Sequence, residues 1–121
     1  MGSEIDYRLA RRAVIRDWRG GRLSRLDVCD AHPELLRAAR HLGQESDVDC
    51  PICGDGKVRM VSYVFGEGLK TANGRCVSNP RELERLGQAN DELECYVVEV
   101  CIECSWNYLA RSFLLGRRHA G

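Results

Sequence analysis

The chain lacks what would carry it into a membrane. No apolar run approaches the roughly 18 residues that a helical span needs, and the opening residues, MGSEIDYRLARR, contain no leader-like apolar stretch. These absences predict a soluble, cytoplasmic protein with no membrane partner. Proline is scarce, with three residues in 121, and no Gly-, Ser- or Pro-rich tract, internal repeat or low-complexity segment is visible, which excludes a disordered or linker-like chain. A glycine-rich phosphate loop is absent, as is any nucleophile motif. The expectation is therefore a non-catalytic protein with no small-molecule substrate.

Net charge is also lacking, at a formal value of zero, but the charges are unevenly distributed. Residues 1 to 40 carry nine arginines against six acids, residues 41 to 105 carry six basic residues against twelve acids, and the last sixteen carry three arginines and no acid. A basic head and tail thus flank an acidic middle. From Arg8 to Arg25 seven arginines face only Asp17.

What the chain has in quantity is cysteine. Seven are present, an odd number, and in a chain kept in the cytosol they are expected to be thiols or thiolate ligands. A chain of this length buries about two thirds of its unfolded surface, so a cross-link through those thiols would reinforce a modest core.

Helical spacing of Leu9, Ala10, Ala13, Val14 and Trp18 predicts a first helix from about Glu4 to Arg19, capped by Ser3 and stopped by Gly20 and Gly21. Ser24 and Asp27 open a short turn through Cys29. Pro33 begins a helix with Leu35, Leu36, Ala39 and Leu42 on its apolar stripe, ended by Gly43. The segment QESDVD, 44 to 49, reads as a polar connector. Lys57 to Phe65 is rich in β-branched and aromatic residues and predicts a strand, and Gly66 to Gly74 mark a loop or small hairpin. Asn79, Pro80 and Glu82 start a short inserted helix. Glu94 to Cys101 alternates as a second strand, whereas Trp106 to Leu115 suits either a third strand or a short helix.

Between these elements lie CPIC and CIEC, Cys50–Cys53 and Cys101–Cys104, separated by 47 residues. Two residues between paired cysteines let a tight turn aim both sulfurs at one ion, and four thiolates form the tetrahedral set that zinc prefers. The same four could ligate an iron–sulfur cluster or serve as redox dithiols. Four cysteines leave no open coordination position, so the zinc expected here is structural. Cys29 and His32 are spaced like a further metal pair, although a small thiol beside a helix-start histidine is the commoner meaning. Cys76 and Cys95 lack a partner at ligand spacing. The acids near the knuckles, Asp49, Asp55, Glu99 and Glu103, read as a solvated strand face, and Trp106 and Tyr108 as packing of the ribbon's core.

Three stretches, VCDAHPELLRAA, CPICGDGKVRMVSYVFGEGL and VVEVCIECSWNYLARSFLLG, resemble an uncharacterised actinobacterial family whose members look like short helices followed by a zinc ribbon. The resemblance spans roughly residues 5 to 116 and thins between Lys70 and Asn90. It implies a metal site at Cys50, Cys53, Cys101 and Cys104 and no established activity.

The expected fold is α+β, with N-terminal helices packed on a C-terminal three-stranded antiparallel zinc ribbon that carries a short inserted helix. Residues 1–44 form the helical region, 45–116 the ribbon and 117–121 a basic tail, in one compact domain. Arg8, Arg12, Arg16 and Arg19 share one helical face and are the candidate contacts for a protein complex or nucleic acid, with a solvated outer face as the plainer meaning. The expected function is a zinc-ribbon adaptor, possible settings being transcription or translation. The alternative is a thiol redox enzyme or redox-sensing zinc switch using Cys50–Cys53 or Cys101–Cys104.

Overall fold

The computed structural model describes residues 4–69 and 74–119. Its framework is an antiparallel sheet with helices on both faces. The strands are β1 (Ile5–Asp6), β2 (Gln44–Asp49), β3 (Lys57–Phe65), β4 (Arg75–Val77), β5 (Leu93–Val100) and β6 (Asn107–Leu115), and the helices are α1 (Arg8–Arg19), α2 (Arg25–Val28), α3 (Pro33–Leu42) and α4 (Pro80–Ala89). The sheet runs β1-β6-β5-β3-β2, with β4 sharing the β2 side of β3.

Six strands rather than three is the main departure from expectation. The antiparallel β3–β5–β6 core matches the predicted segments, and Trp106 to Leu115 resolves as a strand, its pairing beginning at Val100↔Asn107. The additions are edge strands with no sequence periodicity to reveal them. QESDVD pairs with β3 through Gln44↔Met60 and Asp49↔Lys57, and its side chains are almost all exposed. A strand buried on neither face needs no alternation of apolar and polar residues. Backbone pairing holds it, aided by Ser46 Oγ donating to the Val58 carbonyl at 2.6 Å.

At the N-terminus, Ile5 and Asp6 lie beside Ser112 and Arg111 as β1, and the Tyr7 N–H donates to the Ala110 carbonyl. Helix α1 consequently starts at Arg8 rather than Glu4, with the Asp6 carboxylate accepting the Arg8 N–H at 2.8 Å. The predicted Ser3 cap lies outside the described residues. Elsewhere the caps follow expectation. Ser24 and Asp27 form a reciprocal capping box, and Asn79 accepts the Glu82 N–H.

Alternation along the central strands divides the core. On one face, α1 and the cysteine turns enclose Ile15, Val28, Ile52, Val58 and Trp106, and α4 covers Val64, Val77, Leu93, Cys95 and Val97. On the other, α3 seats Ala39 against Val61 and Val100. The phase of α1 differs from the predicted stripe. Leu9 is 77% exposed, whereas Val14, Ile15 and Trp18 turn inward, joined by Arg11, whose guanidinium reaches the buried Glu99. Leu42, expected in the stripe of α3, is likewise exposed.

Candidate metal centre

Each cysteine pair sits in the turn of a hairpin. Cys50 and Cys53 occupy the β2–β3 turn, Cys101 and Cys104 the β5–β6 turn. The turns are built alike. Gly54 N–H donates to the Cys50 carbonyl at 3.1 Å and Ser105 N–H to the Cys101 carbonyl at 3.0 Å, and the Cys50 and Cys101 N–H groups reach Gly56 and Trp106 carbonyls at 2.8 Å. Gly54 and Ser105, the residues following each pair, both have positive φ, 69° and 74°. Glycine accepts that conformation freely and serine does not.

Pairing of β3 with β5, with Arg59 opposite Val100, brings the two turns together although 47 residues separate them. The four sulfurs lie within 4.8 Å of one another. Cys50 is 3.6 Å from Cys104 and Cys53 is 3.7 Å from Cys101. Sulfurs bound tetrahedrally at the usual zinc–thiolate length stand about 3.8 Å apart, so the donor set and its spacing fit a four-coordinate ion.

The environment opposes ionisation of the free thiols at two of the four. Burial pushes Cys101 and Cys104 up from the ordinary thiol range, against backbone N–H groups that favour their thiolates. Burial also acts against the Cys53 thiolate, but the Asp55 N–H and the neighbouring thiols outweigh it and lower that pKa. A bound cation reverses such penalties by holding the ligands as thiolates.

Beside this set the fold places an anchor that sequence reasoning missed. Glu99 is 3% exposed, in place of the solvated position expected for it. Arg11 grips both its oxygens, with Nη2 at 2.9 Å from Oε2, and the Trp106 indole donates to Oε2 at 3.0 Å. The Arg11 guanidinium lies over the Trp106 ring, which stacks on Tyr108. Trp106 itself is 1% exposed, as expected for a core residue. A glutamate alternating with valines on β5 was the available signal, since its neighbours Val97 and Val100 are core.

The expected Cys29–His32 pair is not assembled. His32 is the N-cap of α3, its Nδ1 accepting the Glu34 N–H. Cys29 instead reaches the main cluster, with its sulfur 3.5 Å from that of Cys104. Cys95 is wholly buried in the sheet, and Cys76 is half-buried beside α3. The candidate arginines are all exposed. Arg8 pairs with Asp6; among the described residues no carboxylate pairs with Arg12, Arg16 or Arg19.

Fold and site together define a mixed helix and antiparallel-sheet protein with a tetracysteine cluster that could hold a metal ion. Among the described residues no helix is long and apolar enough to cross a membrane. The chain belongs to the family of unknown function DUF5318, which it matches across residues 2–121. It is 44% identical over 112 residues to an uncharacterized protein of Mycobacterium bovis and to uncharacterized proteins of two strains of Mycobacterium tuberculosis, covering 93% of this chain and 81% of each relative. No solved structure matches.

Proposed function

We propose that the protein is a non-catalytic adaptor in which a structural zinc ion on Cys50, Cys53, Cys101 and Cys104 fixes a ribbon-like platform and α1 presents the binding surface. The observation that carries this reading is the exposed run of Arg12, Arg16 and Arg19, unpaired with any described carboxylate and flanked by the exposed Leu9. A solvated helix face usually interleaves charges of both signs; this one concentrates one sign beside an apolar side chain on a helix locked to β5, next to a cysteine turn, through Arg11 and Glu99. Such a face fits an acidic macromolecular surface. Zinc is favoured over an iron–sulfur cluster by the tetrahedral spacing of single sulfurs.

A pulldown from cell extract with and without nuclease tests the adaptor reading. Replacing Arg12, Arg16 and Arg19 with Ala should abolish capture and leave the thermal midpoint unchanged. Nuclease-sensitive capture that weakens steeply with salt identifies nucleic acid, and nuclease-resistant capture identifies an acidic protein. Capture undiminished in the triple variant would defeat the proposal. One observation favours the redox alternative, namely the fifth sulfur, Cys29, beside Cys104.

A further inference from the structure

Cys29 lies closer to Cys104, at 3.5 Å, than Cys104 does to Cys50, yet it falls outside the set of four mutually adjacent sulfurs. Its position is built by several contacts. Cys29 terminates α2, its N–H on the Arg25 carbonyl at 2.8 Å, and its neighbour Val28 is buried in the core that includes Cys50, Ile52, Cys101 and Trp106. Just beyond it, the Ala31 N–H donates to the Ser105 carbonyl at 3.0 Å, and Asn107 Nδ2 donates to Asp30 Oδ1 at 2.9 Å. The segment carrying Cys29 is thus fastened to the turn that carries Cys104 on both sides of that turn's exit.

Both cysteines are partly exposed, which leaves a small oxidant a route toward them. Closing the gap from 3.5 Å to the roughly 2.05 Å of a disulfide takes about 1.5 Å of sulfur movement, within reach of side-chain rotation and slight backbone adjustment.

We propose that Cys29 and Cys104 form a reversible disulfide in response to hydroperoxides, so that Cys29 is the sensing thiol of the cysteine centre. The Cys29 sulfur attacks one peroxide oxygen; the S–O bond forms as the O–O bond breaks, and the released hydroxide takes up the thiol proton to give water. Cys29 is then a sulfenic acid, oxidised by two electrons. The Cys104 sulfur, a thiolate when it ligates the ion, attacks the Cys29 sulfur; the S–S bond forms, the S–O bond breaks, and the leaving hydroxide takes a proton from solvent to give a second water. The net change consumes one thiol, one thiolate, one proton from solvent and one hydrogen peroxide, and gives one disulfide and two waters. The centre is left with three thiolates, because a sulfur engaged in a disulfide no longer serves as an anionic ligand. A cellular dithiol reverses the step.

The inference rests on the reading that the four thiolates hold a metal, and the two can fail separately. Elemental analysis of the reduced, full-length protein tests the metal; absence of bound metal sinks that reading without touching the thiol chemistry. The zinc-loaded chain is then treated with one equivalent of hydrogen peroxide beside Cys29→Ser, Cys29→Ala and Cys76→Ser variants. Wild type and Cys76→Ser should give a Cys29–Cys104 cross-linked peptide in non-reducing mass spectrometry. They should release one metal per cross-link to a chromogenic chelator, reversibly with dithiothreitol. The Cys29 variants should form no such cross-link and release metal at least about tenfold more slowly, as expected when the sensing thiol is lost. Cross-links confined to Cys50–Cys53 or Cys101–Cys104, or equal release from the Cys29 variants, would overturn the proposal. If both variants fail to fold, the position of the wild-type cross-link decides.

Discussion

Glu99 shows how much one side chain can contribute when it is buried with its partners. It is almost inaccessible, and its carboxylate is shared between a guanidinium 88 residues away in sequence and an indole seven residues away. Removing one member of such an arrangement leaves the others desolvated and unmatched. Glu99→Ala should therefore lower unfolding free energy by about 3 kcal/mol in urea titrations, whereas Glu4→Ala, which removes an exposed carboxylate 3.3 Å from Arg111, should change it by less than about 0.5 kcal/mol. Comparable losses from the two variants would show that the buried pair contributes nothing special. The cysteine spacing was legible because it is local, with both ligands of each pair inside one turn. The role of Glu99 was not, because its burial is decided by α1, and nothing near residue 99 signals that helix.

At the scale of elements, the twin cysteine turns differ at one informative place. Gly54 and Ser105 hold the same left-handed conformation, which disfavours residues with a Cβ by roughly 1–2 kcal/mol. Ser105→Gly should therefore stabilise the protein by about 0.5–1 kcal/mol, the gain being reduced by glycine's greater freedom in the unfolded chain, and Gly54→Ala should cost about 1 kcal/mol. No atom would crowd a Cβ at Gly54, so the second change isolates backbone strain. Thermal unfolding monitored by circular dichroism checks both, and a destabilised Ser105→Gly protein would contradict the strain argument. Legibility again followed locality. Pro33, Asn79–Pro80 and the Ser24–Asp27 box mark helix starts within a few residues of themselves, as the observed bounds bear out. Strands β1 and β2 went unread because an exposed edge is specified by the neighbouring strand rather than by its own composition.

For the molecule as a whole, the cysteine centre joins two hairpins and is lined by the same core that receives α1 and α2. Chelation should therefore loosen both the hairpins and the N-terminal helices, visible as a lowered melting temperature and lost tertiary signal. Acidification should act in the same direction. Burial raises the pKa of Cys101 and Cys104 in the metal-free protein, so metal binding must expel protons and the affinity falls as pH falls. Cys101→Ser should be largely unfolded or insoluble, while Cys76→Ser behaves like wild type. A soluble, folded Cys101→Ser protein with undiminished metal content would rule out the four-cysteine assignment.

The register of β3 on β5 has a consequence for what the chain tolerates. Phe65 and Glu94 face each other as the last pair of that ladder, so everything between them departs from and returns to one fixed gate. Lengthening a closed excursion costs little, about 0.6 kcal/mol for each doubling, and the ligand turns lie at the far end of both strands. Added length is thus cheapest at exposed turns of this excursion, outside β4, α4 and the buried Val77 and Leu93. Such a turn is also the natural place to graft a reporter peptide without disturbing the four clustered cysteines.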